Sequence, residues 1–417
     1  MTREVVLAVC LVMLLASRQV SESIDLTSAS IRGEPEVIET LNLAVASTQT
    51  STQDLYHLIF TKGAQNFGDT RSFGIAVADV DMDEDVDVFL ANFIGQSTLW
   101  INNGEGQFVR DDQTFGTRST DAHGVTIDDL NGDRYPDIVL ISQNDSNRIF
   151  LNDGTGAFTE SEQVLNSNYE HPTSSILGDM DGDGDLDLVV THHDAPNTLW
   201  VNDGNGKFGL SEMEFGDEGT QRMGLADFNG DQFPDVFLLY SDRPGELLIN
   251  DGAGQFTDAG LMIGNPSNDY HYAIGDIDGD GDQDIVISNS VCGISIWMNV
   301  ENTGVFQKID CSSASGKWLL MLFDADLDGD LEILAASQEF GNSDNCLLLN
   351  EGAGCFTPQG QIIDDFLIAG MAAGDFDSDG DCDLVVGFIE GSGGNRIYWN
   401  EGERAYHRSG KIWASLP

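Results

Sequence analysis

An acidic nonapeptide recurs seven times in this 417-residue chain, at steps of 48 to 51 residues. The copies read DVDMDEDVD, DLNGDRYPD, DMDGDGDLD, DFNGDQFPD, DIDGDGDQD, DADLDGDLE and DFDSDGDCD. Positions 1, 3, 5 and 9 carry side-chain oxygens in every copy. In the first four loops they are Asp79, Asp81, Asp83 and Asp87; Asp129, Asn131, Asp133 and Asp137; Asp179, Asp181, Asp183 and Asp187; Asp227, Asn229, Asp231 and Asp235. The last three hold Asp276, Asp278, Asp280 and Asp284; Asp324, Asp326, Asp328 and Glu332; Asp375, Asp377, Asp379 and Asp383. A regular period of this size is the mark of a repeat architecture, in which no unit buries its apolar face alone.

Each unit can be read from the third copy. Thr173–Gly178 leads into the acidic loop, Leu188–His192 is a short apolar run, and TLWVN at 198–202 is a second strand-like run. The turn Asp203-Gly204-Asn205-Gly206 follows, and Phe208 opens a fourth segment. Short runs of β-formers between Gly, Asn and Asp clusters read as antiparallel hairpins. Four such strands per unit, seven times over, predict an all-β, seven-bladed β-propeller with a metal loop in each blade. The aromatic and aliphatic register Trp100, Phe150, Trp200, Leu248, Trp297, Leu348 and Tyr398 is then expected to pack between blades. Leu55–Lys62 looks like a fourth strand without a blade of its own, and Tyr406 holds the same register at the other end. We expect Leu55–Lys62 to close the ring, which removes an exposed sheet edge.

The loops predict a calcium site each, up to seven Ca2+ ions. Calcium takes about 6–8 hard oxygen ligands at ~2.3–2.6 Å, and four or five carboxylates in nine residues repel one another without a cation. An EF-hand would need a glutamate at position 12 and flanking helices. Here that position is apolar in all seven copies, from Leu90 to Val386. Positions 1, 3 and 5 would give one side-chain oxygen each and position 7 its carbonyl, which explains why Tyr135 and Phe233 are tolerated there. Position 9 would bind through both oxygens. Glycine at position 4 or 6 supplies the sharp turn, except in the first loop, which has Met82 and Glu84.

The loop pattern and the hairpin motif, as in LWINNGEGQF at 99–108, resemble the FG-GAP/VCBS propeller repeats of integrin α-subunit heads and cartilage acidic proteins. The resemblance covers residues ~55–410. It implies that calcium stabilises the hairpin entering each blade. The chain lacks the EGF-like cysteine pattern and additional C-terminal domain that cartilage acidic proteins carry, so adhesion is not implied by the resemblance alone.

Charge narrows the partners. With 71 acids against 18 Lys and Arg, the net charge is −53, which repels nucleic acid and anionic lipid. Residues 1–23 read as a secretory signal peptide, because the apolar run Val5–Ala16 is too short to span a bilayer comfortably. No later segment suits membrane insertion. Residues 24–54 are expected to be a Ser/Thr-rich linker, 55–410 the propeller and 411–417 a tail. Five cysteines remain after the signal, permitting one or two disulfides of undetermined pairing. One N-linked sequon, Asn144-Asp145-Ser146, falls in an expected surface loop.

No catalytic constellation is recognisable. His123, His171 and His271 precede metal loops at unequal offsets and read as structural histidines. His192 and His193 are expected in a loop. The chain is therefore expected to be a secreted, non-enzymatic module binding an extracellular protein or glycan. A secreted carbohydrate-active lyase or hydrolase is the alternative.

Overall fold

The computed structural model describes residues 58–401 except 69–70, 118–120, 144, 167–170, 217–218, 241, 266–268, 290–292, 312–317, 339–344, 351, 353, 355, 360–366 and 390–393. The expected signal, linker and tail segments, Tyr406, Asn144, Cys292 and Cys355 lie outside the described residues.

Seven four-stranded antiparallel sheets form the blades of a propeller, and no helix occurs among the described residues. Six blades are built from four consecutive strands, the first blade being Ser72–Ala78, Asp87–Asn92, Thr98–Ile101 and Val109–Arg110. The first strands of successive blades contact one another all the way round, including from the seventh back to the first, so they surround the axis. Every second strand is buried along its whole length. A strand buried on both faces needs an apolar run rather than alternation, and runs such as Ile138–Ile141 and Leu188–Val190 supply it.

The core is divided among the seams. Seven apolar clusters each mix residues of two adjacent blades. Phe150 packs with Phe89 and Leu99 of the preceding blade, and Trp200 with Val139 and Ile149. Leu348 and Tyr398 sit in the equivalent clusters, with Trp100, Leu248 and Trp297 packed at their edges. The repeating aromatic register is therefore inter-blade packing.

The seventh blade is completed from the other end of the propeller sequence. Its fourth strand is Phe60–Asn66, antiparallel to Arg396–Asn400 with Phe60 opposite Asn400 and Thr61 opposite Trp399. This is the closure expected of the Leu55–Lys62 segment, displaced toward the C-terminal side. Residues 55–57 lie outside the described residues, and Leu58 and Ile59 precede the strand. Phe60 takes the place that Phe158, Phe256 and Phe356 hold as first residue of their own fourth strands. Gln65 Nε2 then donates to Phe108 O of the first blade at 2.8 Å. Gln113 and Gln163 make the matching rim bridges to Gly156 and Phe208 of the next blade.

Phe60 is 8% exposed and lies edge-on to Phe323 of the sixth blade, ring centroids 6.4 Å apart. Phe60→Ala should cost roughly 3 kcal/mol through the cavity it leaves, read as a lower melting temperature. An unchanged melt would show that the ring does not depend on this strand.

Candidate metal centre

Each acidic loop joins the first strand of its blade to the second, so all seven loops open on one face of the disc. Position 1 organises the turn. Its Oδ2 accepts the position-6 N–H in every loop, from Glu84 to Asp79 and from Gly380 to Asp375. Position 5 then accepts the N–H of position 7 in every loop, as Asp83 does from Asp85.

Positions 4 and 6 are left-handed in all seven loops. Glycine adopts that conformation without a Cβ penalty, yet Met82, Glu84, Arg134, Gln232, Leu327 and Ser378 adopt it as well, with φ between 56° and 76°. The loop geometry is thus imposed by its hydrogen bonds, not by glycine alone. The first loop has a non-glycine at both places and differs from the others in sequence rather than in backbone.

Position 9 is the buried floor. One carboxylate oxygen accepts the N–H of position 2, as Asp87 Oδ2 does from Val80 at 3.0 Å. The other accepts the N–H of an asparagine that ends the third strand or, in the first blade, directly follows it, as Asp87 Oδ1 does from Asn102 at 2.7 Å. All seven blades repeat both bonds, with Glu332 taking the role in the sixth. Neither oxygen is therefore held open solely for a metal, as simple bidentate binding would have it. Each carboxylate oxygen has two lone pairs, so a cation can still be met from the loop side.

Those asparagines also tie each loop to its neighbour. Asn152 Nδ2 donates to Val80 O, at position 2 of the preceding blade's loop, at 2.7 Å. The bond recurs at every seam, Asn102 to Phe376 and Asn400 to Ala325 included. The asparagine was visible as the last residue of LWIN and LWVN, but its partners are 70 to 75 residues away in six blades and 274 in the first. Nothing local marks it as a clasp.

The structure brings positions 1, 3 and 9 together. Ligand oxygens lie within 4.8 Å of one another in Asp79/Asp81/Asp87, Asp179/Asp181/Asp187, Asp276/Asp278/Asp284, Asp324/Asp326/Glu332 and Asp375/Asp377/Asp383. In the second and fourth loops Asn131 and Asn229 stand at position 3, leaving Asp129 with Asp137 and Asp227 with Asp235 as the carboxylates. The position-5 residues Asp83, Asp183, Asp280, Asp328 and Asp379 fall outside these triads, as do Asp133 and Asp231 of the asparagine loops.

The donor set fits a hard divalent cation. The buried Oδ1 atoms of Asp81, Asp181, Asp278 and Asp377 have no hydrogen-bond partner, and neither has Asp324 Oδ1. An orphaned buried carboxylate oxygen is costly unless a cation meets it. Burial also pushes the position-9 carboxyls up, despite two N–H bonds that favour ionisation. Asp137, Asp187 and Asp235 rise to about 6, Asp87, Asp284 and Asp383 to about 7, and Glu332 to about 8. Desolvation likewise raises Asp81, Asp181, Asp278 and Asp377, with neighbouring carboxylates adding to it.

Of the histidines, His192 departs from expectation. His123 and His271 lie on first strands, whereas His171 precedes one at φ 60°. His192 is not in a loop: it ends the second strand of the third blade, buried, with Nε2 3.2 Å from Thr198 Oγ1. His193 is exposed beside Asp194.

Two outcomes follow. Met82 is half exposed, so Met82→Gly loses little packing while relieving a left-handed side chain. It should raise stability by about 1 kcal/mol, measured by denaturant unfolding; a loss would show that the loop does not need that conformation. With a chelator present, the raised position-9 carboxyls make the folded state progressively less stable as pH rises from about 4 to about 8. Added calcium binds the ionised form, so it should abolish or reverse that decline in melting temperature. A chelated protein more stable at pH 8 than at pH 5 would contradict the burial argument.

Comparison with known proteins agrees with this anatomy. The FG-GAP-like repeat matches residues 79–140, 129–190, 179–226, 227–287 and 324–386. Among solved structures, BBS1N in complex with ARL6DN shares the fold in mercury-soaked and lead-soaked crystals, with TM-scores of 0.55 and 0.54. Identity is 9% in both, over 82% of this chain and 97% and 98% of those chains. No curated protein matches the chain in sequence at a significant level. With repeat matches over most of the propeller and an acidic loop at the same place in each, the chain belongs to the FG-GAP-like repeat family.

Proposed function

We propose that this protein is a secreted, non-catalytic propeller whose loops hold structural calcium, and that it acts as an extracellular protein- or glycan-binding module. The observation that carries the calcium reading is the orphaned position-3 oxygen, Asp81, Asp181, Asp278 and Asp377 in four separate loops, beside a buried carboxylate pushed out of its normal range. Hard carboxylate, amide and carbonyl oxygens favour calcium over softer metals.

The same chemistry repeats round the ring and lies against the seams. A cofactor placed seven times at equivalent structural positions serves cohesion better than it serves one substrate. Exposed, partly hydrated loops suit the weaker affinities of extracellular modules, ~10⁻⁴–10⁻³ M. The apolar run Val5–Ala16 supports export. A rigid disc of this kind offers two faces and a rim to a partner, with a net charge of −53 keeping it soluble and away from nucleic acid.

Calcium should raise the melting temperature by many degrees over the chelated protein. Each site filled at ~100 times its dissociation constant contributes about 2.7 kcal/mol. Asp181→Ala should lower the measured calcium stoichiometry by one ion while the ring still folds. Identical melts with and without chelator would sink the calcium reading. Recovery of extracellular ligands on the immobilised protein in calcium, and their loss in chelator, tests the binding role.

A further inference from the structure

The rim of the disc repeats less faithfully than its loops. In the first blade the fourth strand breaks register after Arg110, which faces Trp100, and regains it only where Phe115 faces Ser97. Four residues, 111–114, stand there opposite two, Thr98 and Leu99. A bulge of this kind interrupts pairing and re-aims side chains. It opens a cavity of about 350 Å³ across the seam between the first and second blades. The lining comes from residues 112–115 of the first blade and from Phe150, Phe158 and Glu160 of the second.

The floor of this notch is apolar and fixed. Phe115 is buried and lies edge-on to Phe150 and Phe158, ring centroids 5.1 and 5.6 Å apart. Gln113 is engaged at both ends of its amide. Its Nε2 donates to Gly156 O at 2.7 Å, and its Oε1 accepts the Phe158 N–H at 2.7 Å.

The mouth is acidic. Asp112 and Glu160 are both exposed, and Asp112 makes no hydrogen bond or ion pair among the described residues. Glu160 is held by the Arg148 guanidinium, which meets its Oε1 and also reaches Asp145 Oδ1 at 3.3 Å. The other oxygen, Oε2, makes no hydrogen bond among the described residues.

Two other seams carry different side chains at the same register. Between the second and third blades, Val164 stands in the place of Thr114 and Leu210 in that of Glu160. Between the fourth and fifth, those places belong to Met262 and Lys308. The notch is therefore particular to its seam.

An apolar floor below two carboxylates suits an alkyl chain that ends in a cation. The net charge of −53 adds a long-range pull on basic partners. Glu160 has already given one oxygen to a guanidinium. A compact ammonium, taking single oxygens from two carboxylates, fits better there than a second guanidinium that wants both oxygens of one.

We propose that this notch takes a lysine side chain of a basic extracellular partner, its methylenes over the phenyl floor and its ammonium on Asp112 and Glu160. This rests on the binding-module reading and names the chemistry of the partner.

The test is calorimetric titration of the calcium-loaded full chain, in ~0.15 M salt, with the tripeptide acetyl-Gly-Lys-Gly-amide and its Nε-acetyllysine counterpart. The lysine peptide should bind at one site per chain, and the acetylated one at least tenfold more weakly. Asp112→Asn should weaken the lysine peptide about two- to fivefold, as for an exposed ion pair. Thr114→Trp, which fills the cavity, should remove binding at an unchanged melting temperature. Should that variant fail to fold, Asp112→Lys, which puts a cation at the mouth, should remove binding instead. Glu212→Gln deletes a charge at the matching place of the third blade, where Asp258 takes the register of Glu160, and should leave binding as it is. Equal binding of the two peptides would overturn the proposal, as would a folded Thr114→Trp or Asp112→Lys variant that binds like the parent. So would a Glu212→Gln variant weakened as much as Asp112→Asn, because the attraction would then belong to the acidic surface at large. No binding of the lysine peptide, with calcium-dependent ligand capture intact, removes only this notch; loss of capture removes the broader reading.

Discussion

The ring is held by a clasp made of one carboxylate and one asparagine per blade. The position-9 acid takes the N–H of its own loop and the N–H of the asparagine ending the third strand. The side chain of that asparagine crosses the seam to the preceding loop, as Asn202 Nδ2 reaches Leu130 O at 2.8 Å. Leaving such buried groups unpaired costs ~1–3 kcal/mol each, and the arrangement occurs seven times. Loop shape, blade interior and blade-to-blade contact are one network.

That network puts a carboxylate where water cannot solvate it. Two N–H bonds do not offset the burial, since Glu332 is still pushed up to about 8. In four loops a position-3 oxygen, on Asp81, Asp181, Asp278 and Asp377, is left without a partner. A cation in the loop would neutralise both defects at once, and would reach the seam through the asparagine. A cation bound there would therefore be coupled to ring integrity through bonds, not merely through proximity.

The two faces of the disc differ in how closely the blades repeat. On the loop face the units are near copies because each must satisfy the same floor and the same clasp. On the opposite face six first strands begin with a bulge whose residue differs from blade to blade. Contacts between blades there are individual ones, such as the Phe73–His123 stack and the Tyr270–Gln338 bond, rather than one bond repeated round the ring.

The fold was legible because its signals are local and repeated. The nonapeptide, the NDG-type turn and Phe60 in the register of Phe158 together specify hairpins, their number and the closing strand. The ligand types at positions 1, 3 and 9 were equally plain, since hard oxygens at fixed spacing constrain a short loop. What the chain order could not disclose depends on residues far apart. Asn102 and Phe376 meet only because the ring closes. Position 5 lies outside the triads and accepts the turn bond of position 7, and His192 reads as a loop residue until its strand is seen to be buried. The Phe73–His123 stack joins two blades and exists only once the sheets share an axis, because convergence on a point is a property of the closed ring and of no segment within it.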